Sequence, residues 1–393
     1  MLRAHLSPQP VGSVTPTWKT LALDSFALRD GSVLAPVTFA YETWGTLAAT
    51  GDNAVLLCHA LTGSSHAYDP QQPDDPRAGW WNPLVGPGHV FDTERYFVVC
   101  VNVLGSCYGS TGPADAHPED GQPYGSRFPW VGIADIVRGQ RIVLERLGVR
   151  RLAVVAGGSI GGQQALEWAV ANPEFVERAI VMAAGTRLGA MGIALNEIGR
   201  RAIAADPRWQ DGSYLPGQGP DEGLAIARMV AMLSYTSAQD LDARFGRRPA
   251  SRPTHQPSFG DAFDVESYFQ YQGQKLVRRF DANSYLVLTR AMDTYDVAAG
   301  SGRGSDAAAL GRVRASLLAV GTNSDWLFPP AQVRALAEGV TAARGQARYA
   351  EIDSPLGHDA FLKAWDQVDD ILRAFVAERT NPRAPPRSQY NQP

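Results

Sequence analysis

Leu152-Ala153-Val154-Val155-Ala156-Gly157-Gly158-Ser159-Ile160-Gly161-Gly162 passes from an uninterrupted apolar run into a cluster of glycines around one serine. The residues that follow, 160–171, include Ala165-Leu166-Glu167-Trp168-Ala169 and stop before Pro173, which reads as one helix. A short apolar run, a glycine turn and a helix make up the repeating unit of a parallel sheet. Strands covered on both faces need no polar residues, so they lack the alternation of half-exposed strands.

The same signature recurs outward along the chain. Residues 54–58, 96–101, 179–182 and 316–321 are apolar runs that each end in turn chemistry, and 347–352 reads as the final strand. Residues 133–147 carry apolar positions at helical spacing (Ile136, Val137, Val143, Leu144, Leu147) and stop at Gly148. Before these, residues 25–46 alternate, which predicts two antiparallel strands joined at Arg29-Asp30-Gly31 with Val37, Phe39 and Tyr41 on one face. Strand and helix in alternation predict a doubly wound, mostly parallel sheet of the α/β class.

One stretch breaks the rhythm. Residues 186–313 contain no convincing strand but several helical pieces, at 193–205, 224–233, 262–280 and 282–293, interrupted by a Pro- and Arg-rich loop at 247–257. This predicts a helical lid inserted over the carboxyl edge of the sheet, where open α/β folds bind ligands. The core is then 19–185 with 314–380, and the Pro-rich ends, 1–18 and 381–393, are expected to be flexible tails.

Composition narrows the class. The chain has 393 residues, of which 45% are hydrophobic and 19% charged, enough apolar material for a large core without metals or disulfides. A net charge of −4 offers no basic face for nucleic acid. Three cysteines, Cys58, Cys100 and Cys107, form no C-x-x-C pair, which argues against a zinc site or a disulfide framework and favours a reducing compartment. With neither a signal peptide nor a membrane span in view, a cytoplasmic protein is expected.

Ser159 carries the chemistry. Gly157–Gly161 fits G-x-S-x-G, in which a sharp strand-to-helix turn lifts the serine hydroxyl to the mouth of a helix whose amides favour negative charge. Neither phosphate-loop pattern fits this stretch. Such a turn predicts partners in the order serine, acid, histidine. Of the seven histidines only His358 follows the last strand, and Asp325 closes the strand before it, although an aspartate ahead of Pro329-Pro330 also suits a helix N-cap. Asp325 would orient His358, and His358 would take the proton of Ser159. The oxyanion would be met by the amides of Ile160 and of the loop His59-Ala60-Leu61-Thr62-Gly63, with Leu61 the chosen donor. Hydrolysis and acyl transfer use the same triad.

Several long motifs carry a resemblance. They are His59–Gly63, Gly79-Trp80-Trp81, Val85-Gly86-Pro87-Gly88, Asn102-Val103-Leu104-Gly105-Ser106-Cys107-Tyr108-Gly109-Ser110-Thr111-Gly112-Pro113, Gly157–Gly162, Ser324-Asp325 and Gly357-His358-Asp359-Ala360-Phe361-Leu362. Together they resemble the homoserine O-acetyltransferases of the α/β-hydrolase superfamily, over residues 38–372. The resemblance implies the α/β-hydrolase fold, with Ser159, Asp325 and His358 as the triad. It further implies Arg228 and Tyr235 as the homoserine-binding pair and Asp359 as the group that meets the amino acid's ammonium. Arg228 would otherwise read as a solvated helix residue and Tyr235 as core.

The resemblance also implies acetyl-CoA as donor substrate, no bound cofactor, L-homoserine as acceptor, and a homodimer formed through the helical lid. Succinyl-using relatives tend to carry an arginine two positions after the triad aspartate, where this chain has Leu327, which favours acetyl. Homoserine O-succinyltransferase, serine O-acyltransferase and serine esterase stay open at this point, as does a non-catalytic binding protein.

Overall fold

The computed structural model describes residues 18–250, 262–299 and 303–378. The expected tails, apart from residue 18, and most of the 247–257 loop lie outside them. The strands are β1 (Lys19–Leu23), β2 (Phe26–Ala27), β3 (Val33–Leu34), β4 (Val37–Trp44), β5 (Ala54–Cys58), β6 (Phe97–Val101), β7 (Leu152–Gly158), β8 (Arg178–Met182), β9 (Ser316–Thr322) and β10 (Gln346–Ile352). Eight of them form one sheet in the order β1-β4-β6-β5-β7-β8-β9-β10. Every pairing from β6 to β10 is parallel, while β1 and β4 add an antiparallel edge.

Residue alternation splits the apolar strands between two cores. Leu56, Val99, Val155, Val181 and Leu317 face the larger core, with α1 (Ile133–Arg146) and α2 (Ile160–Ala171) over them. Val55, Leu57, Val98, Val154, Ile180 and Leu318 face the other. Both faces are dry, which is why these runs carry no polar residues.

Between β8 and β9 the chain runs through α3 (Ala190–Ala205), α4 (Asp221–Tyr235), α5 (Ala238–Arg244), α6 (Asp264–Val277), α7 (Ala282–Thr294) and α8 (Asp306–Leu310). α3 packs on α4, and α4 on α6. α9 (Pro330–Ala342) then lies on β9 and β10 with Val333, Leu336 and Val340 in the larger core. α10 (Trp365–Ala377) covers the opposite face with Val368, Leu372 and Phe375.

The N-terminal region departs from expectation. β2 and β3 do turn at Arg29–Gly31, but each is two residues long. The long alternating strand, β4, pairs instead with β1, whose register runs from Lys19 opposite Tyr41 to Leu23 opposite Val37. β1 lies at the sheet edge with no residue fully buried; Leu21 and Leu23 lean on the larger core, an apolar alternation of two residues that is too short to announce a strand. Val37 and Phe39 are buried and Tyr41 partly so, all on the face expected. No helix among the described residues is long and apolar enough to cross a membrane.

Candidate functional site

Parallel pairing brings the carboxyl ends of β7, β8 and β9 side by side, and the chemistry gathers there. Ser159 follows β7 with φ 60° and ψ −127°, a left-handed backbone that a serine adopts only under constraint, at a cost of about 1–3 kcal/mol. Its amide is held by the carbonyl of Met182 at the end of β8, 3.0 Å away. The glycines around it are there for contact. A Cβ on Gly157 would lie 2.4 Å from the Gly161 carbonyl oxygen, and one on Gly161 would lie 2.1 Å from that of Cys58. The helix start is thereby pressed against the loop that follows β5.

Asp325 sits just beyond β9 and His358 beyond β10; both are buried. His358 Nδ1 lies 2.8 Å from Asp325 Oδ2. The other carboxylate oxygen, Oδ1, accepts the backbone N–H groups of Leu327 (2.9 Å) and Phe328 (3.0 Å). Asp325 therefore holds the imidazole and ties the turn after β9, but it does not cap a helix: the N-cap of α9 is Pro329, which has no side-chain cap. The imidazole lies between the rings of Phe328, 5.7 Å centroid to centroid, and Tyr235, at 5.8 Å. Burial works against the imidazolium, yet the charge and hydrogen bond of Asp325, together with the charge of Asp359, outweigh it and hold His358 above its ordinary range. Nε2 is buried and, among the described residues, has no hydrogen-bond partner, so the nitrogen that would receive a proton is the free one. Phe361, one turn beyond His358, comes so close to Gly158 that a Cβ there would fall 2.3 Å from its ring. The histidine segment and the serine turn are thus packed together.

The loop after β5 is ordered by a residue that sequence reasoning left without a role. His59 is buried, its Nε2 accepts the N–H of Val103 at 3.0 Å, and burial pushes it down to about 4, so the ring is neutral near pH 7. The single ring proton is then on Nδ1, which donates to the Ala60 carbonyl at 2.9 Å. Gly63 N–H donates to the same oxygen, also at 2.9 Å. Because a trans peptide points its C=O and N–H in opposite directions, this anchors the Leu61 N–H facing away from those donors. Among the described residues that N–H donates to no protein acceptor. Ile160, at the first position of α2, and Leu61 are both buried beside the turn.

The helices between β8 and β9 supply the remaining candidates. Arg228 and Tyr235 are seven residues apart on α4, two helical turns, and therefore share a face. The Arg228 guanidinium carbon lies 5.4 Å from the centroid of the Tyr235 ring, and Arg228 has no carboxylate partner among the described residues. Burial pushes the Tyr235 phenol above its usual range, with the charge of Arg228 opposing and that of Asp359 adding. Asp359 follows His358 and is paired with Lys363 Nζ at 2.9 Å, a partner four residues on that was not foreseen. The end of α4 is seated on the loops that carry Asp325 and His358: Trp326 Nε1 donates to Thr236 O at 2.8 Å, and Ser237 Oγ donates to Pro355 O. Gly357, at φ +67°, leaves no room there for a side chain, since a Cβ would lie 2.6 Å from Thr236 C. Among the described residues no cluster of three or more His, Cys, Asp or Glu could hold a metal.

Known proteins resemble this chain in sequence and fold. A family model for the α/β-hydrolase fold matches residues 53–364. The homoserine O-acetyltransferase of Symbiobacterium thermophilum is 50% identical over 353 residues, 89% of this chain and 91% of that protein. Among solved structures, homoserine O-acetyltransferase from Bacillus anthracis superposes with a TM-score of 0.85 at 26% identity, covering 93% of this chain and 98% of that one. The esterase E22 superposes at 0.83 with 27% identity, over 91% and 99%. With half its residues shared over nearly its full length and the same scaffold beneath them, the chain belongs to the homoserine O-acetyltransferase family of the α/β-hydrolase fold.

Proposed function

We propose that this protein transfers an acetyl group from acetyl-CoA to the hydroxyl of L-homoserine by way of Ser159, giving the O-acetyl-L-homoserine used in methionine biosynthesis. Ser159 Oγ attacks the thioester carbonyl while His358 Nε2 takes its proton, and the oxyanion is met by the amides of Leu61 and Ile160. The carbon–sulfur bond breaks, CoA leaves as the thiol with the proton from His358, and Ser159 carries the acetyl group. His358 next accepts the proton of the homoserine hydroxyl, which attacks the acyl-enzyme. Collapse of that intermediate frees the ester and returns the proton to Ser159.

The observation that carries an amino-acid acceptor is the Arg228 guanidinium. It has no carboxylate of its own among the described residues and lies over Tyr235, whose ring packs at a tilt against His358. A planar fork in that position suits an α-carboxylate, and Asp359, whose charge is felt at Tyr235, suits an α-ammonium that takes the place of Lys363. Leu327, uncharged and buried, offers nothing to a succinyl carboxylate, so acetyl is the donor group. Likeness to an esterase keeps one rival reading in play, in which water relieves the acyl-enzyme.

A panel of acetyl-CoA and succinyl-CoA against homoserine, serine and no acceptor separates these readings. Turnover with acetyl-CoA and homoserine, lost in Ser159→Ala while the fold persists, is the expected result. Substantial thioester consumption without any acceptor would sink the transferase reading.

The same proposal extends to assembly and location. Exposed apolar residues on α3 (Met191, Ile198), α4 (Ile226, Leu233) and α6 (Tyr271) suit a homodimer formed through these helices, which behave as a lid over a core of 19–185 and 314–380. Sedimentation at micromolar concentration should give the dimer mass. Three unpaired thiols fit a reducing cytoplasm.

A further inference from the structure

Arg279 lies between α6 and α7, far along the chain from every residue given a role above. Its side chain reaches back to the loop that follows β5. One terminal nitrogen, Nη1, donates to the Thr62 carbonyl at 2.7 Å and to the Tyr108 hydroxyl at 2.6 Å. The other, Nη2, lies 3.4 Å from Thr62 Oγ1. No carboxylate partners this guanidinium among the described residues, so its charge is committed to a backbone carbonyl and a buried phenol. Charge-assisted bonds of this kind are short and strong compared with neutral ones.

The position of that carbonyl matters. Thr62 C=O and Gly63 N–H belong to one peptide plane, so a fixed carbonyl fixes where the N–H points. Gly63 N–H points at Ala60 O, which it meets at 2.9 Å. Ala60 C=O and Leu61 N–H belong in turn to one plane, with His59 as the second donor to that carbonyl. We propose that Arg279 is a positioning residue for the oxyanion site: from the helical insertion it locks the Thr62 carbonyl and, through two linked peptide planes, aims the Leu61 amide at the reacting carbonyl. Tyr108, from the loop after β6, braces the guanidinium through the same nitrogen that holds the Thr62 carbonyl. The insertion thereby holds the Leu61 loop in place as well as contributing Arg228 and Tyr235. This rests on the acyl-transfer reading with Leu61 as an oxyanion donor.

The test compares wild type, Arg279→Met and Arg279→Lys for acetylation of Ser159 by acetyl-CoA, followed by mass spectrometry on the millisecond-to-second scale. Steady-state kcat and KM for both substrates and the unfolding temperature are measured alongside. Losing an oxyanion donor costs about 10²–10³-fold, and a displacement of about 1 Å can cost about 10²-fold. R279M should therefore acetylate about 10²-fold more slowly, with both KM values unmoved and folding intact, and added guanidinium ion should restore part of the rate. R279K reaches one acceptor and lacks the fork, so it should fall between; it also carries the test should R279M fail to fold. Acetylation of R279M at the wild-type rate, or a raised KM with kcat preserved, would overturn the positioning role, the latter because Arg279 would then be touching substrate. Wild-type protein that never acquires an acetyl group on Ser159 would instead sink the underlying acyl-transfer reading.

Discussion

Consider Asp325→Asn, a change of one heavy atom in a buried site. In the native site Oδ1 accepts two backbone N–H groups, from Leu327 and Phe328, and Oδ2 accepts from His358 Nδ1. An asparagine has one acceptor oxygen and one donor amide. The two backbone donors claim the oxygen, since turning it away would set the NH₂ against both of them in a buried place. The NH₂ then faces His358 Nδ1, where two donors cannot coexist. The imidazole resolves this by moving its proton to Nε2 and accepting at Nδ1, which satisfies the new pair and costs little stability. Nε2 now carries a hydrogen and cannot take the serine proton. In Ser-His-Asp enzymes this wrong tautomer lowers kcat by about 10⁴, or about 5.4 kcal/mol of transition-state stabilisation. Stopped-flow release of CoA thiol in the first half-reaction measures the loss, and calorimetric unfolding checks that the fold persists. Retention of activity within about tenfold of wild type would refute the tautomer argument, and a large fall in unfolding temperature would show that the imidazole had not adapted.

The same geometry fixes the response to pH and to changes at Asp359 and Arg228. Because His358 is held above its ordinary 6.5, activity should fall as pH drops through a value higher than that, as Nε2 takes a proton and ceases to be an acceptor. Stability moves the other way: a raised histidine stabilises the fold below its unfolded value and loses that contribution as pH rises through the folded one. Asp359→Asn removes one of the charges that raise it, so the acid limb of the kcat/KM profile should shift toward lower pH; a limb that stays put would exclude that influence. Arg228→Ala should raise the homoserine KM by about 10–100-fold, from about 1.5–3 kcal/mol of charge-assisted hydrogen bonding, while acetylation of Ser159 keeps its rate. Arg228→Lys should rescue little, because a point charge cannot present the planar fork; slowed acetylation in either variant would contradict an acceptor-only role.

What could be read along the chain was whatever a short stretch decides by itself. The buried strands announce themselves because a strand dry on both faces must be apolar at every position, and 54–58 and 160–171 match their elements residue for residue. β1 escaped notice for the converse reason: an edge strand with no fully buried residue gains little from apolar side chains, and in Lys19–Leu23 the alternation is confined to Leu21 and Leu23. α5 and α8, at seven and five residues, are too short for a helical period to show.

Sequence by itself determined the sheet class, the serine turn and the order in which an acid and a histidine must follow it, because strand connectivity constrains that order. Arg228, Tyr235 and Asp359 were reached by family likeness alone, since nothing local distinguishes them from a solvated helix residue, a core tyrosine and a surface acid. Only the tertiary structure decided which atoms meet. His358 finds Asp325 across 33 residues, and Arg279 finds the Thr62 carbonyl across 217. The tautomer of His59 follows from Val103, a partner 44 residues away. Such pairings depend on where the sheet order and the helical insertion deliver distant segments, and no local periodicity encodes that.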